Sequence, residues 1–165
     1  MLNITVAQAQ KLSSPSPFGL LSVRKEDGST NLMAVSWWTY LSNHPPMLGV
    51  CLSKKGLSHS RIEAEGEFIL SLVGEELKSS ALSCGTCSGK TRNKAMEFGI
   101  ELEPAEAVRC QAVKNSRVIF ECRLKDSIEA GDHRFYLAEI LCARGDENIR
   151  HLFAYNGYSE LNTVN

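Results

Sequence analysis

The feature that most restricts the fold is a pair of long segments in which apolar residues recur at every second position. The first covers residues 116–126 (SRVIFECRLKD) and the second covers residues 133–143 (HRFYLAEILCA). A period of two is typical of strands with one buried face. Gly131-Asp132, between the segments, predicts a tight turn. The C-terminal third therefore predicts a long antiparallel pair of strands.

Shorter apolar runs predict four more strands, at 18–24, 31–38, 47–53 and 67–73. Helix-forming composition predicts short helices at 57–65 and 75–83. Consecutive prolines remove ladder donors, so Pro45-Pro46 should force residues 39–46 out of the sheet. At least six strands without strict β-α-β alternation favour a mainly β fold, a β-barrel with short helical insertions.

Size and charge exclude several classes. A chain of 165 residues with net charge −1 fits one domain over residues 1–165 and argues against nucleic-acid binding. No apolar run reaches the roughly 18 residues of a membrane-spanning helix, and the N-terminal residues lack a signal-peptide pattern. The six cysteines need no disulfides in a chain of this length. We therefore expect a cytoplasmic protein without membrane association.

A cluster of hydroxyl and ammonium groups follows the strand predicted at 47–53. It contains Ser53, Lys54, Lys55, Ser58 and Ser60. A phosphate monoester needs such donors converging from several directions, and the start of a helix adds a favourable dipole. The alternative is that Ser58 only caps a helix and that the lysines are solvated.

Aromatic and imidazole groups form a second candidate set. Trp37 and Trp38 are adjacent in a predicted strand, so one should be buried while the other could cover a flat heterocycle. His133 follows the Gly131-Asp132 turn and would be presented at the end of a strand, where it could orient an anionic ligand. The alternative in both cases is ordinary packing.

Cys84 and Cys87 have the Cys-x-x-Cys spacing of a redox pair or of half a zinc site. No second pair completes four zinc ligands, and the β-α-β setting of a thioredoxin is absent. Incidental spacing is the favoured interpretation, and a redox or metal module remains an alternative. The Gly/Ser/Lys stretch that follows them favours a loop that binds a phosphate or a ribityl chain.

Taken in order, these elements resemble the flavin reductase-like, flavoredoxin-type family of FMN-binding split barrels. The similarity covers roughly residues 15–158. Its motifs are Asn31 with Ala34-x-Ser36-Trp37, Ser42-x-x-Pro45-Pro46, the strand into Ser53 and Ser58, Arg61-Ile62, Gly66-Glu67-Phe68, Gly85-x-x-Ser88-Gly89-Lys90-x-x-Asn93-Lys94, Glu121-Cys122 and Gly131-Asp132-His133.

The resemblance implies a homodimer that holds FMN noncovalently and accepts electrons from NADH or NADPH. It places one strand, Met33, Ala34, Val35, Ser36, Trp37 and Trp38, beside the flavin. It assigns the phosphate to Ser53, Lys54 and Ser58, with Lys94 as a further candidate, and it places Ser88 and Gly89 in the binding loop. His133 would position the nicotinamide substrate.

Two functions are therefore expected. The first is an FMN-binding oxidoreductase, either an NAD(P)H-dependent flavin reductase or a flavoredoxin-like protein that passes electrons to a protein partner. The alternative is a non-enzymatic carrier of flavin or another small ligand, because the sequence has no Gly-x-Gly-x-x-Gly nucleotide fingerprint after a strand.

Overall fold

The computed structural model describes residues 2–164. The helices are α1 Val6–Leu12, α2 Leu57–Glu65, α3 Lys78–Thr86 and α4 Lys94–Glu97, with a 3-10 turn at Glu75–Leu77. The strands are β1 Ser16–Pro17, β2 Gly19–Arg24, β3 Thr30–Val35, β4 Trp38–Asn43, β5 Pro46–Ser53, β6 Glu67–Val73, β7 Leu102–Glu103, β8 Ala112–Val113, β9 Ser116–Ala130, β10 His133–Gly145, β11 Leu152–Tyr155 and β12 Glu160–Thr163.

Seven strands form one antiparallel sheet in the order β3-β2-β6-β9-β10-β5-β4. Only Ser36 and Trp37 separate β3 from β4, although these strands lie at opposite edges. Three Cα–Cα steps span at most about 11 Å, whereas six inter-strand spacings in a flat sheet span about 29 Å. The sheet must therefore curl until its edges meet, which makes a split barrel and confirms the predicted fold class.

Residues 31–46 differ from the prediction. The strand predicted at 31–38 ends at Val35, and residues 39–46 do not leave the sheet, because β4 lies within them. β4 is an edge strand whose residues are mostly exposed, and Pro46 is the first residue of β5, opposite Asn43. Proline is tolerated at a turn and at the first position of a strand. Pro45 accordingly lies in the turn of the β4–β5 hairpin, and Pro46 begins β5.

The barrel interior is an apolar cluster to which β10 contributes the fully buried Tyr136 and Ala138. The alternation predicted for β9 is confirmed on this side, where Phe120 and Cys122 are buried. On the other face of β9, Glu121 is fully buried. Its carboxylate accepts hydrogen bonds from the Glu106 and Ala107 amides, which ties the 104–108 loop over the sheet.

A second apolar cluster lies outside the barrel, where α3 packs on β3. It is closed by a small sheet with the order β1-β11-β12. The strands of this sheet are two to four residues long, too short to be predicted from a periodic pattern. No helix among residues 2–164 is long and apolar enough to span a membrane.

Candidate functional site

β3 divides the predicted flavin-facing residues between two faces. Met33 and Val35 pack into the barrel interior, whereas Ala34 packs against the outer cluster. Trp38, at the start of β4, also packs against the interior. The predicted run of residues 33–38 therefore does not present one continuous face, and Ala34, Ser36 and Trp37 are the members placed toward cavities outside the barrel.

Asn31, near the start of β3, joins two of the predicted anion-binding segments. Its side-chain Nδ2 donates to the Ser58 hydroxyl over 3.1 Å, and both residues are buried. A Cβ atom on Gly89 would lie 1.6 Å from Asn31 Oδ1, so the loop backbone approaches the amide closely enough to require glycine. β3, the first turn of α2 and the loop at 88–89 therefore meet at one point, which we call the Asn31 junction.

The start of α2 lacks a side-chain cap. Gly56 occupies the N-cap position and makes no capping hydrogen bond. The first amides of a helix carry partial positive charge and have no intrahelical acceptors, so an uncapped start favours an anion. Asn31 Oδ1 is buried against the Gly89 backbone and has no hydrogen-bond partner among the described residues.

Ser53 and Lys54 lie at the end of β5, before α2. The Ser53 hydroxyl accepts a hydrogen bond from the Lys55 amide at 3.4 Å, and the Ser53 carbonyl accepts one from Gly56. The Lys54 ammonium lies 3.4 Å from the Glu129 carboxylate, so its charge is paired at the surface. Ser53 is thus close to the start of α2, whereas Lys54 is engaged in a salt bridge.

Trp37 and His133 lie against each other, with ring centroids 4.8 Å apart and planes tilted by 37°. His133 Nδ1 is 2.8 Å from Asp132 Oδ1, and this hydrogen bond holds the pKa of the Asp132 carboxyl below its usual value. In the sheet register His133 is opposite Ser53. The structure therefore brings the predicted histidine together with one tryptophan and with the end of β5.

Lys94 lies at the start of α4 and is buried. Its ammonium donates to the Cys84 carbonyl over 2.7 Å, which satisfies an orphan carbonyl near the end of α3. Ser88, in the preceding loop, accepts a hydrogen bond from the Lys90 amide at 3.3 Å. Lys94 thus holds α3 and the 88–94 loop together, and its role toward an anion stays a prediction.

The two cysteines of the Cys-x-x-Cys spacing lie at the C-terminal end of α3. Cys84 is buried in α3, and burial raises the pKa of its thiol to about 11. Cys87 ends the same helix, where its thiol donates to the Ser83 carbonyl. Low thiol pKa values accompany redox and metal-binding cysteines, and residues 2–164 contain no group of three or more candidate metal ligands. The structure gives a redox or metal module no support.

A cavity of about 340 Å³ opens beside Ala34, between β3 and α3. A second one, of about 90 Å³, lies beside Ser36 and Trp37. The Tyr158 ring lines both cavities, and its phenol oxygen accepts the Ser36 amide hydrogen bond over 2.6 Å. The larger cavity is lined by Phe18, Ala34, Ala81, Leu82, Gly85, Thr86 and Tyr158.

Asn31, at the junction, and Tyr158, beside the two cavities, were not among the predicted site residues. Asn31 was noted only as part of a motif, since nothing in a lone asparagine indicates that it joins a helix to a distant loop. Tyr158 follows Asn156-Gly157, a dipeptide that is typical of a hairpin turn, but the flanking strands are too short to be predicted from the sequence. Their positions became evident only from contacts far apart in sequence.

Comparisons with known proteins agree with this architecture. Flavoredoxin of Desulfovibrio vulgaris (Miyazaki F) superposes with a TM-score of 0.87 at 23% identity, over 99% of this chain and 94% of that one. At this identity the likeness shows the fold alone, a split barrel. Residues 12–162 match the model of the flavin reductase like domain. The chain therefore belongs to the flavin reductase-like family.

Two curated relatives are similar over most of this chain. An uncharacterized protein of Archaeoglobus fulgidus is 32% identical over 111 residues, which cover 67% of this chain and 63% of that protein. The NADH:riboflavin 5'-phosphate oxidoreductase of Streptomyces pristinaespiralis is 25% identical over 122 residues, which cover 74% of this chain and 66% of that enzyme. This chain thus spans slightly less than two thirds of the length of each.

Proposed function

We propose that this protein is an FMN-binding oxidoreductase that accepts electrons from NADH or NADPH. The observation that carries the proposal is the Asn31 junction, where a buried amide links the uncapped start of α2 to a close-approaching glycine loop. Family membership supports it, as does the name of the Streptomyces relative, an oxidoreductase of NADH and riboflavin 5'-phosphate.

The donor set fits a phosphate-bearing flavin. The first amides of α2 and the hydroxyls of Ser53, Ser58 and Ser88 would hold the phosphate, and Asn31 would orient the Ser58 hydroxyl. The ring would lie along Ala34, Ser36 and Trp37. When bound, the flavin supplies the reversible two-electron chemistry. The protein then binds and orients both reactants, with His133, held by Asp132, positioning the nicotinamide.

The purified protein tests this proposal directly. After extensive dialysis it should take up added FMN and show the visible absorption of a bound oxidised flavin. It should then oxidise NADH or NADPH with free flavin as acceptor. A protein that ignores FMN would refute the proposal. Bound FMN without nicotinamide oxidation would instead favour the second candidate, an electron carrier that serves a protein partner, as the shared fold with flavoredoxin suggests.

We also propose a homodimer, on the evidence of an apolar outer sheet face. Leu41 and Ile128 are 39% and 55% exposed, and Phe135 covers the space where Gly49 lacks a side chain. A face of this kind is typical of an interface. The mass in solution should be twice 18.2 kDa, and Ile128→Glu should lower it toward that of one chain. A wild-type monomer at micromolar concentration would refute the dimer.

The absence of disulfides among the described cysteines supports a cytoplasmic location, which also remains a proposal.

A further inference from the structure

We propose that Tyr158 is a positioning residue that holds the Ser36–Trp37 crossover in the geometry required by the flavin ring; this inference rests on the proposed function. The crossover is the two-residue link between the sheet edges β3 and β4. It carries Trp37, the partner of the His133 ring. Whatever fixes its backbone therefore fixes the ring end of the site.

Within residues 2–164, two hydrogen bonds hold the crossover, and they differ in kind. On one side the Trp37 carbonyl accepts from the Cys51 amide over 2.7 Å, a contact within the barrel wall. On the other side the Ser36 amide donates to the Tyr158 phenol oxygen over 2.6 Å. This second bond comes from a side chain 122 positions away, in the β11–β12 hairpin.

The backbone of the hairpin turn and its contacts fix the position of this phenol. Asn156, Gly157 and Tyr158 all have left-handed backbone conformations, with φ of 50°, 65° and 71°. Such values are uncommon for residues other than glycine and persist where the surrounding structure enforces them. The Asn156 amide is anchored by the Ser14 hydroxyl at 2.9 Å, and the Tyr158 ring meets Phe18 edge-on.

The phenol is suited to a permanent acceptor role. Burial raises the pKa of Tyr158, although the hydrogen bonds from Ser36 oppose the rise. The group is therefore neutral at physiological pH and accepts from the amide without carrying charge. Tyr158 lines both cavities beside β3, so loss of its ring would also remove part of the lining of the larger cavity.

The test compares Tyr158→Phe with Tyr155→Phe, a control in the same hairpin whose side chain lines neither cavity. Tyr158→Phe keeps the ring and removes only the acceptor. We expect its Kd for FMN to rise roughly three- to tenfold, the effect of one hydrogen bond. The Kd for riboflavin should rise by the same factor, because the change lies at the ring end. Exchange of the Ser36 amide, followed by NMR, should accelerate in the flavin-free protein.

Three results would overturn the proposal. One is an unchanged Ser36 exchange rate, which would show that the phenol does not hold the crossover. Another is faster exchange with unchanged flavin affinity. The third is a loss that affects FMN but not riboflavin, which would place the effect at the phosphate end. If the wild type binds neither flavin, the proposed function falls, whereas the exchange measurement still tests the Tyr158 hydrogen bond.

Discussion

The two ends of β3 contribute to the same candidate site by different means. At the Asn31 end, the contacts are buried side chains and backbone from α2 and the 88–89 loop. At the Ser36 end, a phenol from a separate small sheet supplies the second of the two hydrogen bonds. The proposed phosphate end is therefore preorganised by the body of the protein, whereas the proposed ring end depends on a peripheral hairpin.

This difference separates the two parts of a flavin experimentally. Riboflavin lacks the phosphate but keeps the ring, so changes at the Asn31 end should weaken FMN more than riboflavin. Changes at the Ser36 end should weaken both equally. The ratio of the two dissociation constants thus reports which end a substitution has altered.

The largest loss of FMN affinity is expected for Gly89→Ala. The new Cβ would meet Asn31 Oδ1 at 1.6 Å, so the loop must move away from the junction. Overpacking of this kind costs about 1–3 kcal/mol, or roughly five- to 150-fold in FMN affinity. Titration calorimetry measures it.

The contrast is Gly56→Ala, which adds the same methyl group 3.7 Å from its nearest neighbour, the Ser53 carbonyl oxygen. Its loss of affinity should be much smaller. Equal losses in the two variants would show that the close approach at Gly89 is unimportant for binding.

A smaller effect is expected for Ser58→Ala, which removes the hydroxyl that Asn31 contacts. The loss of one hydrogen bond should weaken FMN binding roughly three- to tenfold, with little change for riboflavin. Ser60→Ala is the matched control, since Ser60 is exposed on the same helix and donates only to the Leu57 carbonyl. A change in riboflavin affinity as large as that for FMN would contradict the assignment.

The thiols of Cys84 and Cys87 should contribute to flavin binding at neither end of β3. Cys87→Ser is expected to keep the FMN affinity and the rate of nicotinamide oxidation of the wild type. In the native protein at pH 8, Cys84 should react slowly with a thiol reagent, because burial holds its pKa at about 11. Rapid labelling of Cys84, or lost turnover in Cys87→Ser, would contradict this expectation and support a redox role for the two cysteines.

The smallest expected effect is on the free energy of unfolding, which should depend on pH through His151, a residue bonded to Phe18 beside the larger cavity. His151 Nε2 donates to the Phe18 carbonyl over 2.7 Å, and burial lowers the His151 pKa below its usual 6.5. The unfolded chain therefore binds this proton more readily than the folded one. The stabilisation is present above about pH 6.5 and is lost as the pH falls through the folded-state pKa.

Urea unfolding at pH 7.5, 6.5 and 5.5 should show this decline in the wild type and a weaker one in His151→Gln. The carboxyls with lowered pKa values, such as Asp132, titrate at lower pH and do not compete in this range. Identical declines in the two proteins would show that His151 is not responsible.

The sequence indicated the elements at the Asn31 end far better than those at the Ser36 end. Period-two segments predicted β9 and β10, and the serines around the start of α2 stood out because helix starts and hydroxyl donors are local signals. The ring end depends on the β1-β11-β12 sheet, whose strands are too short for a periodic pattern. Tyr158 and Ser36 are 122 positions apart in the sequence, and only the packing of this small sheet brings them together. The single-domain assignment over residues 1–165 stays a prediction.

The central claim is that the Asn31 junction is a phosphate site serving a flavin. Calorimetric titration of the flavin-free wild type with FMN and then with riboflavin tests it most directly. We expect one FMN per chain, bound at least roughly tenfold more tightly than riboflavin, since hydrogen bonds to a charged group each contribute about 1.5–3 kcal/mol. Equal affinities for the two flavins, or no binding of FMN, would contradict the claim.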